Sequence, residues 1–516
     1  MSSKQRESSW PLVLGVCVAA GLAGSASAQE ASEGAGGESR RLVSVEPRLQ
    51  LSQGYTSNLK LTSHSQDAAL VTTLAPGLSL RARGLELNGS LDYSLNGSYY
   101  LKSPEPDRIY HRLNSQLRWA PADGSIFVQA LGSITEQSRS VLGPRSVDPS
   151  LANANATQVA NLSVMPGVRL RLGDAVIMES QVNFVLNRAK DTNLGDYSGY
   201  AAGAVLRPSR GGAVLGWQVM ADVQSNEPRV GRSVASDRLI GMLIYRPDPD
   251  WQAGVNFGTD ANNYTSESKE RKAAYGIQLA WKPSPRTSAE LAADRRSYGS
   301  THSLAFEYRL PRLSLRFSDV QQVAPPGVQG GLGTRTNYDL LFQMLASLEP
   351  DPEKRKELVV ATLKASGLSP DAISTAGFLS SAVSLSRSRQ VAALWQGART
   401  TVSLSLAHTS NLRLGAVSVP GDDFGLAGRI TQQGAVLALS HRLTPMSNLS
   451  LGYTDQRTRT ERGTVGSTHL RSLSAALSMR LAQSRTVSLS VRRAEMESPL
   501  QPYVENAVTG TLQQLF

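Results

Sequence analysis

From Val43 onward, apolar and polar side chains alternate with a period of two, which is the pattern of β-strands with two different faces. Leu473, Ala475, Leu477, Met479 and Leu481 alternate with Ser472, Ser474, Ala476, Ser478 and Arg480. Past Ala482-Gln483-Ser484, the residues Val487, Leu489 and Val491 alternate with Ser488, Ser490 and Arg492. The same split sets Leu85, Leu87, Leu91, Tyr93 and Leu95 against Asn88, Ser90, Asp92, Ser94 and Asn96. It recurs with Leu215, Trp217, Val219, Ala221 and Val223 against Gln218, Asp222 and Gln224, and with Leu313, Leu315 and Phe317 against Ser314, Arg316 and Ser318. Such runs extend for about 10 to 14 residues, longer than the strands of soluble sheets.

Short turns rich in Pro, Gly, Asp and Ser punctuate these runs roughly every 36 to 38 residues, the length of a transmembrane hairpin with one tight turn and one longer loop. Examples are Arg207-Pro208-Ser209-Arg210-Gly211, Arg246-Pro247-Asp248-Pro249-Asp250 and Lys282-Pro283-Ser284-Pro285-Arg286. Turns are placed near Gly84, Asp123, Gly173, Ser209, Asp248, Ser284, Pro311, Gly397, Pro445 and Gln483. With a first strand over Val43–Gln53 and a last one over Val504–Phe516, they predict an all-β, transmembrane antiparallel barrel of about 22 strands, within a range of about 18 to 24. Residues 43–516 form this barrel. The polar set Asn88, Asp92, Asn96, Gln218, Asp222, Arg316, Arg480 and Arg492 is assigned to the lumen, and the apolar set to lipid. A periplasmic β-sandwich or β-helix also alternates, but strand length and the succession of short and long loops favour the barrel.

Internal repetition supports construction from copies of one hairpin. Leu51-Ser52-Gln53-Gly54-Tyr55-Thr56-Ser57-Asn58-Leu59 is echoed by Leu404-Ser405-Leu406-Ala407-His408-Thr409-Ser410-Asn411-Leu412. Pro76-Gly77 and Pro166-Gly167 recur in similar contexts inside strands and are expected to be bulges or bends. Val508, Leu512 and Phe516 share one face, and Phe516 reads as the barrel-insertion signal recognised by assembly machinery.

Residues 322–378 break the pattern. Gly327–Gly333 reads as a flexible linker. Leu340, Leu341, Met344, Leu345 and Leu348 follow helical spacing. Asp351-Pro352-Glu353 starts a second helix, which carries Leu358, Val359, Thr362 and Leu363 and stops at Gly367. Ser369-Pro370-Asp371 starts a third. The segment is expected to be a helical insert, either a plug or a cap, on the outer side or folded into the lumen.

The remaining features narrow the setting. Residues 1–28 read as an export signal: Lys4 and Arg6, then an apolar Trp10–Gly24, then Ala26-Ser27-Ala28, with cleavage between Ala28 and Gln29. Val16 before Cys17 argues against a lipid anchor there. Residues 29–42 are a periplasmic lead-in, and the expected location is the outer membrane of a Gram-negative cell. The one cysteine lies in the signal, which leaves no disulfide or thiolate metal site. Mean hydropathy of −0.22 suits a barrel because lumen polarity cancels lipid-facing apolarity. The net charge of +11 is scattered singly, without the basic stripe or aromatic platform of a nucleic-acid binder, and suggests a positive lumen or rim. His64, His111, His302, His408, His441 and His469 are dispersed and none has metal-ligand spacing. No catalytic, metal or cofactor-binding residue is assigned, and the chain is not expected to be an enzyme.

Several short motifs together resemble the outer-membrane β-barrel proteins associated with the PEP-CTERM/exosortase exopolysaccharide systems of Gram-negative bacteria. They are Tyr55-Thr56-Ser57-Asn58, Pro285-Arg286-Thr287 with Arg296-Ser297-Tyr298-Gly299, Asp339-Leu340-Leu341-Phe342 before Pro350-Asp351-Pro352-Glu353-Lys354-Arg355, and Tyr503, Glu505, Asn506 and Phe516. Ser57 stands where that family usually has Asp, and Ser297 where it has an aromatic. The resemblance implies a barrel that supports export or passage of an exopolysaccharide. The alternatives are a non-transporting structural or surface-interaction barrel and a general solute porin. Expected partners are outer-membrane lipid, the barrel-assembly machinery, the polysaccharide and periplasmic export components.

Overall fold

The structure is a computed structural model that describes residues 43–64, 66–101, 103, 105–210, 214–330, 377–416, 419–461 and 466–516, together with Leu341, Phe342, Leu345, Arg355 and Val359. The signal segment 1–28, its cleavage site Ala28/Gln29 and the lead-in 29–42 lie outside the described residues.

One sheet of 24 strands contains two three-residue pieces, Gly327–Gln329 and Phe378–Ser380, which leaves 24 − 2 = 22 strands in the wall. Every wall neighbour is antiparallel. The sheet closes on itself because Val43–Thr56 pairs with Ala69–Arg83 on one side and with Tyr503–Leu515 on the other. Leu313–Ala324 pairs directly with Ser384–Gln396, so the wall passes the insert without a break. Closure leaves no strand edge unpaired, as a membrane-spanning sheet requires. Strand lengths run from 10 residues at Thr287–Arg296 to 17 at Ala156–Leu172.

The sorting of side chains is inverted relative to a soluble protein. On Ser384–Gln396, the inward Ser384, Ser386, Ser388 and Gln390 are buried, while the outward Val391 and Trp395 are exposed. Five tryptophans, Trp119, Trp217, Trp251, Trp281 and Trp395, face outward near the short-turn end of their strands, and Trp251 and Trp281 lie side by side with ring centroids 5.7 Å apart. A belt of this kind marks a membrane–water interface.

All ten expected turns lie at or beside a junction of two wall strands at one end of the barrel. Four of these hairpins carry a one-residue register shift beside the turn, as between Tyr245 and Asp248 and between Trp281 and Ser284. Bulges therefore sit at the turns, not at the Pro-Gly sites. Around Pro76 the register to Val43–Thr56 is continuous, and the pairing to Leu87–Leu101 resumes at Gly77 in the same register. Pro166 behaves alike. Proline lacks one N–H, so the ladder loses contact on one side only and no residue is added. Gly167 has a second role: a Cβ there would lie 2.2 Å from the inward Phe127 ring, which rests against the bare backbone.

The other end carries the long connections: 57–68, 139–155, 190–196, 263–269, 325–383 and 414–428. The contrast of short and long is weakest where only Ser297 and Tyr298 join two strands at this end, and it is also lost at 229–233, which is shorter than the turn 209–214 before it. The insert also differs from expectation at its margins. Ala324 still belongs to the wall, and Gly327–Gln329 is a buried strand paired with Phe378–Ser380, not a flexible linker. Leu341, Phe342, Arg355 and Val359 are helical. Leu340, Met344, Leu348, the start at Asp351-Pro352-Glu353, Leu358, Thr362, Leu363, Gly367 and the third helix from Ser369 lie outside the described residues.

Candidate functional site: a lumen closed at its mouth

Strand register fixes which residues face the lumen. Asn88, Asp92 and Asn96 share a face with Tyr100 and Ser98, whose partners Val71 and Thr73 point inward. Gln218 and Asp222 pair with Met242 and Arg238, Arg316 with Ala392, Arg480 with Thr486, and Arg492 with Ala507, all on the inner side. All eight polar residues assigned to the lumen thus lie on the inward face. Phe516 follows the last strand, and its N–H donates to the Pro47 carbonyl at 3.0 Å.

Several inward arginines are matched by inward carboxylates. Arg238 donates to Asp222 through two nitrogens at 2.8 and 2.6 Å, Arg48 lies 3.4 Å from Asp92, and Arg207 lies 2.8 Å from Glu179. Arg492 reaches Glu505 at 2.9 Å and Asp148 at 3.1 Å. Between these pairs, the inner wall of Ser384–Gln396 and Thr400–Arg413 is hydroxyl-rich and neutral up to Arg413 at its loop end, with Ser384, Ser386, Ser388, Ser403, Thr409 and Asn411 all buried.

What buries that wall comes partly from the insert. Leu341, Leu345 and Val359 pack against the inward Ala392 and Leu394, with Phe342 and Ala438 beside them. Leu394 is only three residues from the short turn at Gly397, so these insert residues sit deep in the lumen although the insert leaves the wall at the loop end. The Arg355 guanidinium lies over the Phe342 ring, 4.8 Å from its centre.

The mouth is closed by loops that bind one another. Two adjacent acids hold two separate segments. Asp422 accepts from Ser380 Oγ and Ser381 N, both at 2.8 Å, and also caps the short helix Asp423–Leu426 by accepting from Phe424 N at 3.0 Å. Asp423 accepts from Ser140 Oγ at 2.7 Å and Val141 N at 2.6 Å. Val141, Leu142, Phe378, Phe424 and the inward Ile430 close around this clasp as one buried apolar cluster. Burial pushes the Asp423 carboxyl above its ordinary value, against the pull of the Val141 and Ser140 bonds.

A second clasp lies across the lumen. Arg145, in the same connection as Val141, donates to Thr458 Oγ1 at 3.0 Å and to the Val141 carbonyl at 2.8 Å. Its own carbonyl accepts from the Tyr503 hydroxyl. Burial lowers the Arg145 guanidinium to about 10, still far enough above neutrality to keep its charge. Nearby, Leu59, Leu61, Val71, Leu151, Met496 and Tyr503 form a second buried cluster. Connection 139–155 therefore spans from its own wall segment to strands on the far side.

The sequence pattern did not pick out Asp422, Asp423, Arg145 or Tyr503 as mouth residues. The one local signal was Gly421-Asp422-Asp423-Phe424, an N-cap pattern in a loop. Among the described residues there is no group of three His, Cys, Asp or Glu side chains that could hold a metal ion.

No family model matches the chain, and no curated protein matches it. Among solved structures it is similar to the FrpB iron transporter from Neisseria meningitidis, at 10% identity over 91% of this chain and 81% of that one, with a TM-score of 0.47. It is also similar to the siderophore receptor PirA from Acinetobacter baumannii, at 7% identity over 92% and 80%, TM-score 0.45. For the outer membrane protein opdK from Pseudomonas aeruginosa the values are 10% identity over 92% and 98%, TM-score 0.34. The barrel stands on its own strand pairing.

Proposed function

We propose that the chain is an outer-membrane conduit for a hydroxyl-rich solute, an exopolysaccharide in export being the leading candidate, and that it is described here in a closed state. The observation that carries this reading is the inner wall of Ser384–Gln396 and Thr400–Arg413, with neutral hydroxyl and amide side chains in rows. Such a surface offers hydrogen bonds to sugar hydroxyls. The insert serves as a plug, and the clasped loops as a gate on the outer side, where barrels carry their long connections. No catalytic step is assigned.

A second reading has its own support. The mouth is packed well enough to bury Phe378 and Phe424 almost completely, which suits a structural or surface-interaction barrel that passes nothing. Planar-bilayer conductance separates the two. The test uses the intact chain and a variant lacking residues 331–376 with 141–152 replaced by a short Gly/Ser linker. A silent intact chain and an open variant whose current is reduced by neutral oligosaccharides support the conduit. A variant that folds but stays silent overturns it, whereas an open variant blocked equally by all small solutes points to a general porin. In cells, loss of surface polysaccharide on gene deletion supports the export assignment.

A further inference from the structure

The outer surface is not uniform. On the strands Leu313–Ala324, Ser384–Gln396, Thr400–Arg413 and Arg429–Thr444, outward residues change from apolar to polar or charged at one level, and on Ser447–Thr460 the charge reaches one position lower, at Asp455. The row of paired outward residues Phe317, Val391, Leu406 and Ala435 is followed, one outward position nearer the loops, by the row Asp319, Arg389, His408, Gln433, Arg457 and His469. Between the rows lies an open groove of about 480 Å³. Its floor exists because Ala435 is small where its neighbours are large. Val391 and Leu406 are 44% and 42% exposed, too apolar for water and suited to a hydrocarbon chain.

At the groove, the upper row carries surplus positive charge. Asp319 alone serves three basic groups: Arg387 through two bonds at 2.9 and 2.6 Å, Arg389 at 3.3 Å and His302 at 3.1 Å. Asp455 faces both Arg457 at 3.5 Å and His469 at 2.8 Å. Around the groove two carboxylates, Asp319 and Asp455, thus face three arginines, with His302, His408 and His469 beside them; the next residue of the row, Glu497, lies 3.7 Å from His469 and pairs with Arg471 beyond the groove lining. Arg389 and Arg457 remain 47% and 48% exposed at the groove's rim, flanking His408 and Gln433, which bond each other at 3.3 Å.

We propose that this groove binds a membrane lipid with a phosphorylated headgroup, in the leaflet nearest the loops. An acyl chain lies along Phe317, Val391 and Leu406, and the phosphate sits between Arg389 and Arg457. The charge complementarity selects the occupant: arginines flanking a gap favour a phosphate, and the apolar row below favours the chain attached to it. A soluble anion gains nothing from the lower row, and a neutral lipid gains nothing from the upper one. The proposal is independent of what the lumen passes, and rests only on the chain spanning a bilayer.

The test uses the full chain in phosphatidylcholine nanodiscs doped with a minor fraction of lipid A or of the same lipid stripped of its phosphates, and reads bound lipid by native mass spectrometry. The intact chain should retain the phosphorylated form in preference. Arg389→Ala with Arg457→Ala should lower that retention about tenfold or more, the usual size of losing charge-assisted bonds. Arg389→Lys with Arg457→Lys should keep most of it, and Arg271→Ala, outward on another part of the wall, should keep all of it. Heat-dependent gel mobility verifies that each variant is folded. Equal retention of both lipids, or no loss in the double alanine variant, overturns the proposal. Displacement by inorganic phosphate at low concentration also overturns it, in favour of a soluble-anion site.

Discussion

Asp423→Ala should unlock connection 139–155 while leaving the wall intact. The carboxylate is 5% exposed and accepts two bonds, from Ser140 Oγ and Val141 N. Hydrogen bonds to a charged acceptor contribute about 1.5–3 kcal/mol each, so removing both shifts the open–closed balance by about 3–6 kcal/mol. At about 1.4 kcal/mol per factor of ten, that is roughly a hundredfold to ten-thousandfold increase in opening. The wall ladders do not pass through Asp423, so global stability should barely change. Hydrogen–deuterium exchange in detergent, read peptide by peptide, measures both quantities together. Peptides covering 139–146 should exchange at least a hundredfold faster in the variant, while those from Thr400–Arg413 should be unaltered. Asp423→Asn should fall between, because its amide keeps one acceptor and turns a donor toward another donor. Unchanged protection at Val141, or equal loss over the whole barrel, would refute the reasoning.

The same carboxyl makes closure pH-dependent. Burial raises it above its ordinary 3.8, so between those two values the closed state holds more protons than the open one. Closure should therefore strengthen as pH falls through the raised value and stop gaining below about 3.8, read as a distance distribution between spin labels at Val147 and Leu426. A distribution unaffected across that window counts against the assignment. Leu477→Arg, on the lipid face, should destabilise refolding into vesicles by about 2–4 kcal/mol, whereas Ser478→Arg, one residue on and inward, should cost much less. Gly167→Ala forces a Cβ to within 2.2 Å of the Phe127 ring and should cost about 1–3 kcal/mol in urea titration, with Phe127→Ala in the same chain restoring most of it.

The wall was legible because each strand meets two solvents at once. Leu473 and Ser474 are neighbours in sequence but face lipid and lumen, so the period of two is written into adjacent residues. Tight turns were legible for a similar reason: Pro247-Asp248-Pro249 needs no distant partner to break a strand. The Pro-Gly sites misled because the same residues that mark a bulge in one context are accommodated in another, where an inward side chain, Arg48 at Gly77 and Phe127 at Gly167, covers the glycine and only one ladder loses contact. The mouth was legible only as the N-cap pattern at Asp422, and its long-range pairs were not. Arg145 and Thr458 are 313 positions apart, and Ser140 and Asp423 are 283 apart. Neither pair has a local periodicity that would announce it. Val141-Leu142 is a two-residue apolar run between polar neighbours, too short to read as core.

If the chain is the proposed conduit, two barriers lie in series along its lumen. The insert residues Leu341, Leu345 and Val359 lie near the short-turn end, against Leu394. The clasped loops lie at the other end, held by bonds from Ser381 to Asp422, from Val141 to Asp423 and from Tyr503 to Arg145 that do not involve those insert residues. For barriers in series, removing either one leaves the other in control of the current. Deleting 331–376 alone should therefore raise conductance only slightly, and so should shortening 139–155 alone, while the two together should exceed the sum of the single effects. Connection 139–155 is the part common to both clasps, through Val141 on one side and Arg145 on the other. A physiological trigger acting on it would release the Asp423 and Arg145 bonds at once and leave those of Asp422 to Ser380 and Ser381. If the single deletion of 331–376 gave the full conductance of the double variant, the loops would be a loose cover and not a gate, and the insert would be the only barrier that matters.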